Sequence, residues 1–507
     1  MKKIVYHPFL FSLYSILFLI SINVKRIPLS ASYRVLFYHL AAVAILYFLL
    51  RLITGNWYRA GLVSSLAVLL FNSFGHVLSF FAGKQFVGLF LGRADILAAL
   101  WAAAFILIGW WFIRKLANPK SLSEYFNIVS ILILIYPIVQ IGAFWLRQAY
   151  YSRQLNNQEL YEQHQLNPLD QRPPDIYYLV LDEYGRADVL KEVLAFDNSD
   201  IIQYLQEKGF YIAENSHTNY SITQFSLQSS LNLDYINAGN KANVYLALEL
   251  IDHNRARGFL ENAGYQFITF ATDYAQTDIS DSDYYFKPKN YINGFEFMYF
   301  LSSALVFNVD DFYFPQSRAL ILNAFNRLKE IPEINPNVPK FVFAHIPAVH
   351  VPYVFGPNGE LDEPWTLPPP STDTRVAREG YIRSYTGQIV YVNKLLKETI
   401  DTILSKSSTR PIIILQGDHG PQSLFHFSFE NTCIKERMSI LNAYYLPGSY
   451  YKKLYPSISP VNTFRLIFDQ YFNGNFGLLD DRSYLTIRDD LSRIVDVTSQ
   501  LDECQIP

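Results

Sequence analysis

The chain has 507 residues, half of them hydrophobic and 16% aromatic, and its 42 basic and 45 acidic side chains leave a net charge of −3. That length accommodates more than one domain, and the near-neutral balance is not that of a nucleic-acid binder. Its two cysteines, Cys433 and Cys504, make no disulfide framework, and they neither require nor exclude an oxidising compartment.

Five apolar runs fill the first 150 residues: Pro8–Val24, Val35–Ile53, Leu62–Ala82, Ile96–Ile113 and Ile128–Trp145. Each approaches the roughly 20 residues that a helix needs to cross the hydrocarbon core. Lys, Arg, Tyr or Trp flank each run, as suits a membrane interface. The first run has a basic start, Lys2 and Lys3, like a secretion signal, but no clear small-x-small cleavage site follows it. It reads as a retained first helix. Ser121-Leu-Ser-Glu124 predicts a capping box at the start of the fifth helix.

Charge divides the chain in two. Residues 1–150 hold thirteen Lys and Arg against only Asp95 and Glu124, a net of +11, which leaves −14 for the remainder. Charge does not orient the spans. With a cytoplasmic N-terminus, seven basic residues (Lys2, Lys3, Arg51, Arg59, Arg114, Lys115 and Lys120) lie inside, and seven (Lys25, Arg26, Arg34, Lys84, Arg93, Arg147 and Arg153) lie outside. An odd number of spans says only that the two ends lie on opposite sides.

The predicted organisation is a transmembrane helical domain over 1–146, a juxtamembrane linker over 147–174 and a catalytic α/β domain over 175–507. The linker is polar, with a helical stretch at Asn157–His164, and Pro173-Pro174 stops any helix there. The α/β domain opens with the β-prone run Asp175-Ile-Tyr-Tyr-Leu-Val-Leu181, and similar runs recur at Tyr265–Phe270, Phe341–Ala344, Pro411–Leu415 and Leu441–Leu446. Helical patterns alternate with them at Val189–Lys208, Asp252–Ala263, Ser317–Lys329 and Tyr381–Leu404. Such alternation predicts a mostly parallel sheet flanked by helices, with the functional site beyond the carboxyl ends of its strands. Asp278–Phe314 and Gly356–Gly380 read as long functional loops. Within the first, Met298–Phe307 is apolar but too short to span a bilayer. It reads as a buried helix, with lipid contact as the alternative.

Acids and histidines stand at the predicted strand ends. The first strand runs into Asp182-Glu183-Tyr184, and Pro411–Leu415 runs into Gly417-Asp418-His419-Gly420. Carboxylate oxygen and imidazole nitrogen together suit Zn²⁺ or Mn²⁺, although a lone acid at a strand end is usually a turn residue or a cap. Between them, a helix is predicted to start near Ser221. There Ser221 or Thr223 is either an N-cap or a nucleophile whose helix N-terminus also binds an anion. His345 and His350, in His345-Ile-Pro-Ala-Val-His350-Val-Pro-Tyr353, are either donors to an anion or parts of a buried polar turn.

The ordered set Tyr178-Leu-Val-Leu-Asp182, Ser221-Ile-Thr223, His350-Val-Pro-Tyr353 and Gly417-Asp418-His419-Gly420 resembles the sulfatase-like part of the alkaline phosphatase superfamily. With several N-terminal spans, it is most similar to the membrane-anchored branch that contains lipoteichoic acid synthases and phosphoethanolamine transferases. The resemblance covers about residues 174–485, including Arg437-Met-Ser-Ile-Leu-Asn-Ala-Tyr-Tyr-Leu-Pro447 and Ser459-Pro-Val-Asn-Thr-Phe-Arg465. It implies Asp182, Thr223, Asp418 and His419 as ligands of one divalent metal, Zn²⁺ or Mn²⁺. It also implies Thr223 as nucleophile, and His350 with His345 on the substrate. It further implies an inner (plasma) membrane protein with an extracytoplasmic catalytic domain, acting on phosphate or, less readily, sulfate esters of envelope lipids or glycans.

Two departures qualify the resemblance. The C/S-x-P-x-R motif that sulfatases convert to formylglycine is missing near Thr223. Cys433-Ile-Lys-Glu-Arg437 keeps only its end residues. No Asp-x-x-x-His pair lies between Thr223 and Asp418 to build a second metal site, so one metal is expected. Glu183 follows Asp182 where some sulfatases carry a second acid, and its role as a ligand stays open. Two other classes compete: an anchored scaffold or sensor that kept the fold and lost the chemistry, and a transporter. The transporter finds little support, since His39, His76 and Asp95 are the main ionisable candidates in the spans.

Overall fold

The structure is a computed structural model. It describes residues 4–81, 93–153, 164, 166–170, 172–236, 246, 248–361, 374–424, 432–448, 450–486 and 494–504. The chain forms two compact units, Met1–Tyr150 with Ile292–Tyr313, and Tyr151–Tyr291 with Phe314–Pro507.

The first unit holds the apolar runs as helices α1 (His7–Asn23), α2 (Tyr33–Thr54), α3 (Trp57–Phe81), α4 (Ala94–Trp110) and α5 (Pro119–Ser152). Among the described residues α2 to α5 are long and apolar enough to cross a membrane, whereas α1, with 17 residues, is shorter. At 1.5 Å per residue α1 covers about 26 Å of a ~30 Å core. The bundle interior is small and polar in places. His7 bonds Ser65 Oγ at 2.6 Å and Ser123 Oγ at 3.0 Å, and its backbone N–H donates to Asn127 Oδ1 at 3.0 Å. Gly61 makes room for this knot, because a Cβ there would lie 2.5 Å from Val5 Cγ1.

The capping box expected at Ser121–Glu124 is not the helix start. Pro119 begins α5, and the Asn118 side chain accepts from the Ser121 N–H at 3.2 Å. Proline suits the first helical position because its missing N–H would have no partner there.

The second unit is a three-layer α/β domain. Its strands are β1 (Ile176–Leu181), β2 (Tyr211–Ile212), β3 (Gln266–Phe270), β4 (Tyr284–Phe286), β5 (Lys340–Ile346), β6 (Ile412–Gly417) and β7 (Asn442–Tyr445). They form one sheet in the order β2-β7-β6-β1-β5-β3-β4. The pairs β1–β5, β1–β6, β3–β5 and β3–β4 are parallel, and β6–β7 and β2–β7 are antiparallel. A separate hairpin joins β8 (Tyr484–Thr486) and β9 (Ile494–Asp496).

Every residue of β1 is buried, and its side chains alternate between two cores. Tyr177, Leu179 and Leu181 enter one cluster, and Ile176, Tyr178 and Val180 the other. That is why this strand reads as a continuous apolar run. The first core is covered by α6 (Ala187–Leu194), α7 (Ser199–Glu207), α12 (Val309–Leu328) and α13 (Thr374–Lys406). The second is covered by α8 (Thr223–Asn232), α9 (Glu249–Asp252), α10 (Arg255–Asn262) and α15 (Thr463–Tyr471). The helical pattern Val189–Lys208 divides into α6 and α7 because Ala195 takes a left-handed φ of 54°.

Cys433, at the start of α14 (Ile434–Met438), is joined by a disulfide to Cys504, 71 residues away. The expectation of no disulfide framework thus gives way to one bridge. The stretch Met298–Phe307 contains most of α11 (Gly294–Ser302) and belongs to the first unit, so its burial is against α2 and α3 instead of the α/β core. The expected linker helix at Asn157–His164 lies outside the described residues except for His164, as does 362–373 of the loop Gly356–Gly380.

Candidate active site

Strand register brings the site together. Leu181 of β1 pairs with Gly417 of β6, so the next residues, Asp182 and Asp418, leave the sheet side by side. On the other flank Val180 pairs with His345 of β5. Three parallel strands thus deliver Asp182, Asp418-His419 and His345 at one carboxyl edge, where α/β sheets place ligands. Two close approaches shape this edge. A Cβ at Gly420 would lie 2.0 Å from Glu436 O, and one at Gly417 would lie 2.4 Å from Tyr184 O.

Thr223 arrives from elsewhere, as the first residue of α8, and its Oγ1 lies 3.2 Å from His419 Nε2. His419 Nε2 is also 3.4 Å from Asp418 Oδ2 and 3.6 Å from Asp182 Oδ1. Asp418 Oδ1 accepts the N–H groups of Glu183 at 3.0 Å and His419 at 2.9 Å. Its other oxygen, Oδ2, is buried without a hydrogen bond, and so is Asp182 Oδ1.

These atoms fit a cation. Asp182, Asp418 and His419 each offer one ligand atom, all within 4.8 Å of one another. Ligands about 2.0–2.1 Å from a tetrahedral ion stand roughly 3.3–3.4 Å apart, close to the observed separations. Buried oxygens without partners are costly unless something fills the gap between them.

Electrostatics point the same way. Burial, then the neighbouring Asp418, pushes the Asp182 carboxyl well above the usual range. Burial also pushes Asp418 up, but His419, His345 and the Glu183 N–H outweigh it and hold that carboxyl low. Burial, helped by Arg437, lowers His419 to about 3, so its imidazole is neutral and keeps a lone pair. Burial lowers His345 to about 4. Its Nδ1 bonds Thr277 Oγ1 at 2.8 Å, and its Nε2 lies 3.5 Å from Asp182 Oδ2.

Glu183 turns away from this cluster through a left-handed φ of 66°. Tyr381 OH donates to its Oε1 at 2.6 Å and Gln422 Nε2 to its Oε2 at 3.2 Å, and burial raises it to about 8. His350 Nε2 lies 3.9 Å from Glu183 Oε2, and its side chain is 35% exposed while those of Asp182, Glu183, His345, Asp418 and His419 are at most 5% exposed. Sequence reasoning gave no role to Arg437. It is buried and donates from Nε to Ser221 O at 2.8 Å and from Nη1 to Gly420 O at 3.0 Å. It thereby ties the Ser221–Thr223 segment to the Asp418-His419 loop and brings positive charge beside Glu183, Asp418 and Asp182. In the sequence it stood only as the end of Cys433-Ile-Lys-Glu-Arg437 and the start of Arg437–Pro447.

No protein-family profile matches the chain, and no curated protein matches it. Solved structures do. The zinc complex of the C-terminal periplasmic domain of EcEptC from Escherichia coli is 12% identical at a TM-score of 0.47, over 67% of this chain and 96% of that one. The integral membrane protein lipooligosaccharide phosphoethanolamine transferase A (EptA) from Neisseria meningitidis is 10% identical at a TM-score of 0.38, over 92% of this chain and 96% of that one. The lipoteichoic acid synthase LtaP from Listeria monocytogenes is 14% identical at a TM-score of 0.37, over 60% of this chain and 75% of that one. The chain is similar to each of these structures at low sequence identity.

Proposed function

We propose that the protein is a membrane-anchored, metal-dependent phosphotransferase or hydrolase that acts on phosphate esters of envelope lipids or glycans through a covalent Thr223 ester. The observation that carries this reading is the convergence of Thr223 Oγ1, His419 Nε2 and two buried, unpartnered carboxylate oxygens within one small volume.

Asp182, Asp418, His419 and Thr223 would hold one divalent ion, Zn²⁺ or Mn²⁺, which when bound supplies charge to polarise an ester oxygen and to favour the Thr223 alkoxide. The Thr223 hydroxyl, whose oxygen lies 3.2 Å from His419 Nε2, gives its proton to solvent water. Its oxygen then bonds phosphorus as the bond to the leaving oxygen breaks. His350, at the exposed side of the site, donates a proton to that leaving oxygen. In the second half a water, for hydrolysis, or an envelope hydroxyl, for transfer, gives its proton to the now neutral His350 and attacks the same phosphorus as the bond to Thr223 Oγ1 breaks, and the Thr223 oxygen takes a proton back from solvent. The N-terminus of α8 and Arg437 favour the charge that gathers on the phosphoryl oxygens. The Cys433–Cys504 disulfide suits an oxidising, extracytoplasmic compartment, and the apolar helices suit a substrate at the membrane.

High-resolution mass spectrometry of the Thr223 peptide, before and after exposure of the full chain to native membranes, tests this reading. An adduct on Thr223 is the expected result, and its mass names the transferred group. Metal analysis runs beside it. Chelation should abolish turnover and Zn²⁺ or Mn²⁺ should restore it. A chain with neither adduct nor metal is the anchored scaffold instead.

A further inference from the structure

The stretch Gly294–Phe307 carries one charge, Glu296, among fourteen residues that include four Phe and two Leu. Fourteen residues reach about 21 Å even as a continuous helix, too little to cross a bilayer. A segment of this length that entered a bilayer would have to leave on the side it entered; here the chain runs through α11, a 3₁₀ turn at Ala304–Asn308, and α12.

The first unit grips this hairpin closely. Asn293 and Glu296 form a capping box at the start of α11, and the Glu296 carboxylate is also held by both Nε and Nη2 of Arg34. The single charge is thus paired, and the Glu296 side chain is only 6% exposed. Asn293 Nδ2 donates to Ala31 O at 3.0 Å. Tyr299 OH meets His39 Nδ1 at 2.7 Å, and Asn72 Nδ2 meets the other ring nitrogen at 3.3 Å. Gly75 of α3 lets the backbone touch, since a Cβ there would lie 2.0 Å from Leu301 O. The rings of Phe74 and Phe307 are 4.9 Å apart.

These contacts set a depth. His39 lies six residues into α2, about 9 Å along that helix, and Gly75 lies on α3, which packs against α2. The hairpin's outward side chains there are apolar: Leu301 is 40% exposed and Phe307 50% exposed, in line with Phe37 and Tyr38 of α2 at 69% and 65%. Apolar side chains exposed on a stretch that packs against the spans, and whose one charge within Gly294–Phe307 is paired, are poorly suited to water and well suited to acyl chains.

We propose that residues 292–307 form a re-entrant membrane hairpin whose outer face is covered by the acyl chains of one leaflet. Non-helical backbone at such depth is tolerated where protein buries it, and α2 and α3 do so here. The α/β domain would then be held to the bilayer at two points in its sequence, the end of α5 and this hairpin.

The test uses the wild-type full chain in phosphatidylcholine–phosphatidylglycerol vesicles doped with a phospholipid that carries a photoreactive diazirine on its acyl chain. After irradiation, peptide mass spectrometry should find lipid adducts within 294–307 and on α2, and none on the peptide around Leu478, an exposed leucine of the α/β domain. Adducts on α2 with none in 294–307 would overturn the proposal. Spin labels at Leu301→Cys and Phe307→Cys give a second reading, because both native cysteines are tied in the disulfide. Both labels should be reached by oxygen and shielded from a water-soluble nickel chelate. Nickel access equal to that at Leu478→Cys would also overturn it.

Discussion

The membrane unit and the α/β unit both bury apolar side chains, but the bundle sets small polar side chains among them and turns large apolar ones outward. In the bundle the inner positions include Ser64, Ser65, Ser123, Ser130 and His7, while Ile45, Phe37 and Leu52 face outward. In the α/β unit Leu179, Ile268 and Ile414 are sealed inside, and the outer helix faces are charged. Lipid removes the hydrophobic drive between helices, so small residues and interhelical hydrogen bonds hold the bundle. Water restores that drive, so the sheet is held by apolar burial on both faces. The candidate site adds a third kind of interior, in which charged groups are buried together at the carboxyl edge, an arrangement that costs stability unless they are paired.

This contrast can be broken by substitution. The largest effect belongs to the site: Thr223→Ala should lower turnover of a phosphodiester probe by at least about 10³-fold. Metal content should be kept through Asp182, Asp418 and His419. Full activity in this variant would end the covalent mechanism.

Next comes the apolar core. Leu179→Ala in β1 should cost roughly 2–5 kcal/mol in chemical unfolding followed through the α/β domain. Ile45→Ala on the outer face of α2, 62% exposed, should stay within about 0.5 kcal/mol. Equal costs would refute the contrast between the sealed core of the sheet and the outward apolar face of the bundle.

Glu183 sharpens the account of the buried charges. Its carboxyl is raised by burial to about 8 in the fold, whereas an unfolded Glu titrates near its ordinary value of about 4.3. The folded state therefore binds more protons between those values. The associated stability is full below the lower value and is lost as pH rises through about 8. Glu183→Gln should flatten this decline in the melting temperature of chelator-treated protein. An unchanged pH profile would assign the decline to other groups.

The smallest effect is expected at the polar knot. His7→Ala removes the bonds to Ser65 and Ser123 and should cost about 1–2 kcal/mol in detergent unfolding, since such bonds in bundles are modest. A loss as large as that of Leu179→Ala would show that polar pairing carries more of the bundle.

Much of the site was legible because its residues end apolar runs. Asp182 and Asp418-His419 follow β1 and β6, and Thr223 opens α8, as periodicity and strand exits implied. Other features were not legible, each for a local reason. Ser121–Glu124 had the letters of a capping box, but Asn118 before Pro119 offered a better start. Val189–Lys208 kept a helical period across Ala195, whose left-handed turn leaves no mark in hydrophobicity. Arg437 looked like part of a failed motif, and only its two carbonyl partners reveal how it ties the loops.

The sequence by itself determined the two-part plan, the apolar spans, the α/β alternation and the types of residue at the strand ends. Each of these is a property of neighbours along the chain, set by periodicity and backbone sterics. The tertiary structure alone decided what meets across distance. It aligned Leu181 with Gly417 so that two acids stand together, brought Thr223 to His419, and joined Cys433 to Cys504. It also carried Gly294–Phe307 out of the α/β domain's sequence and into the membrane unit. An apolar run has one composition whether sheet, helix or lipid covers it, and the covering surface is chosen only when the whole chain packs.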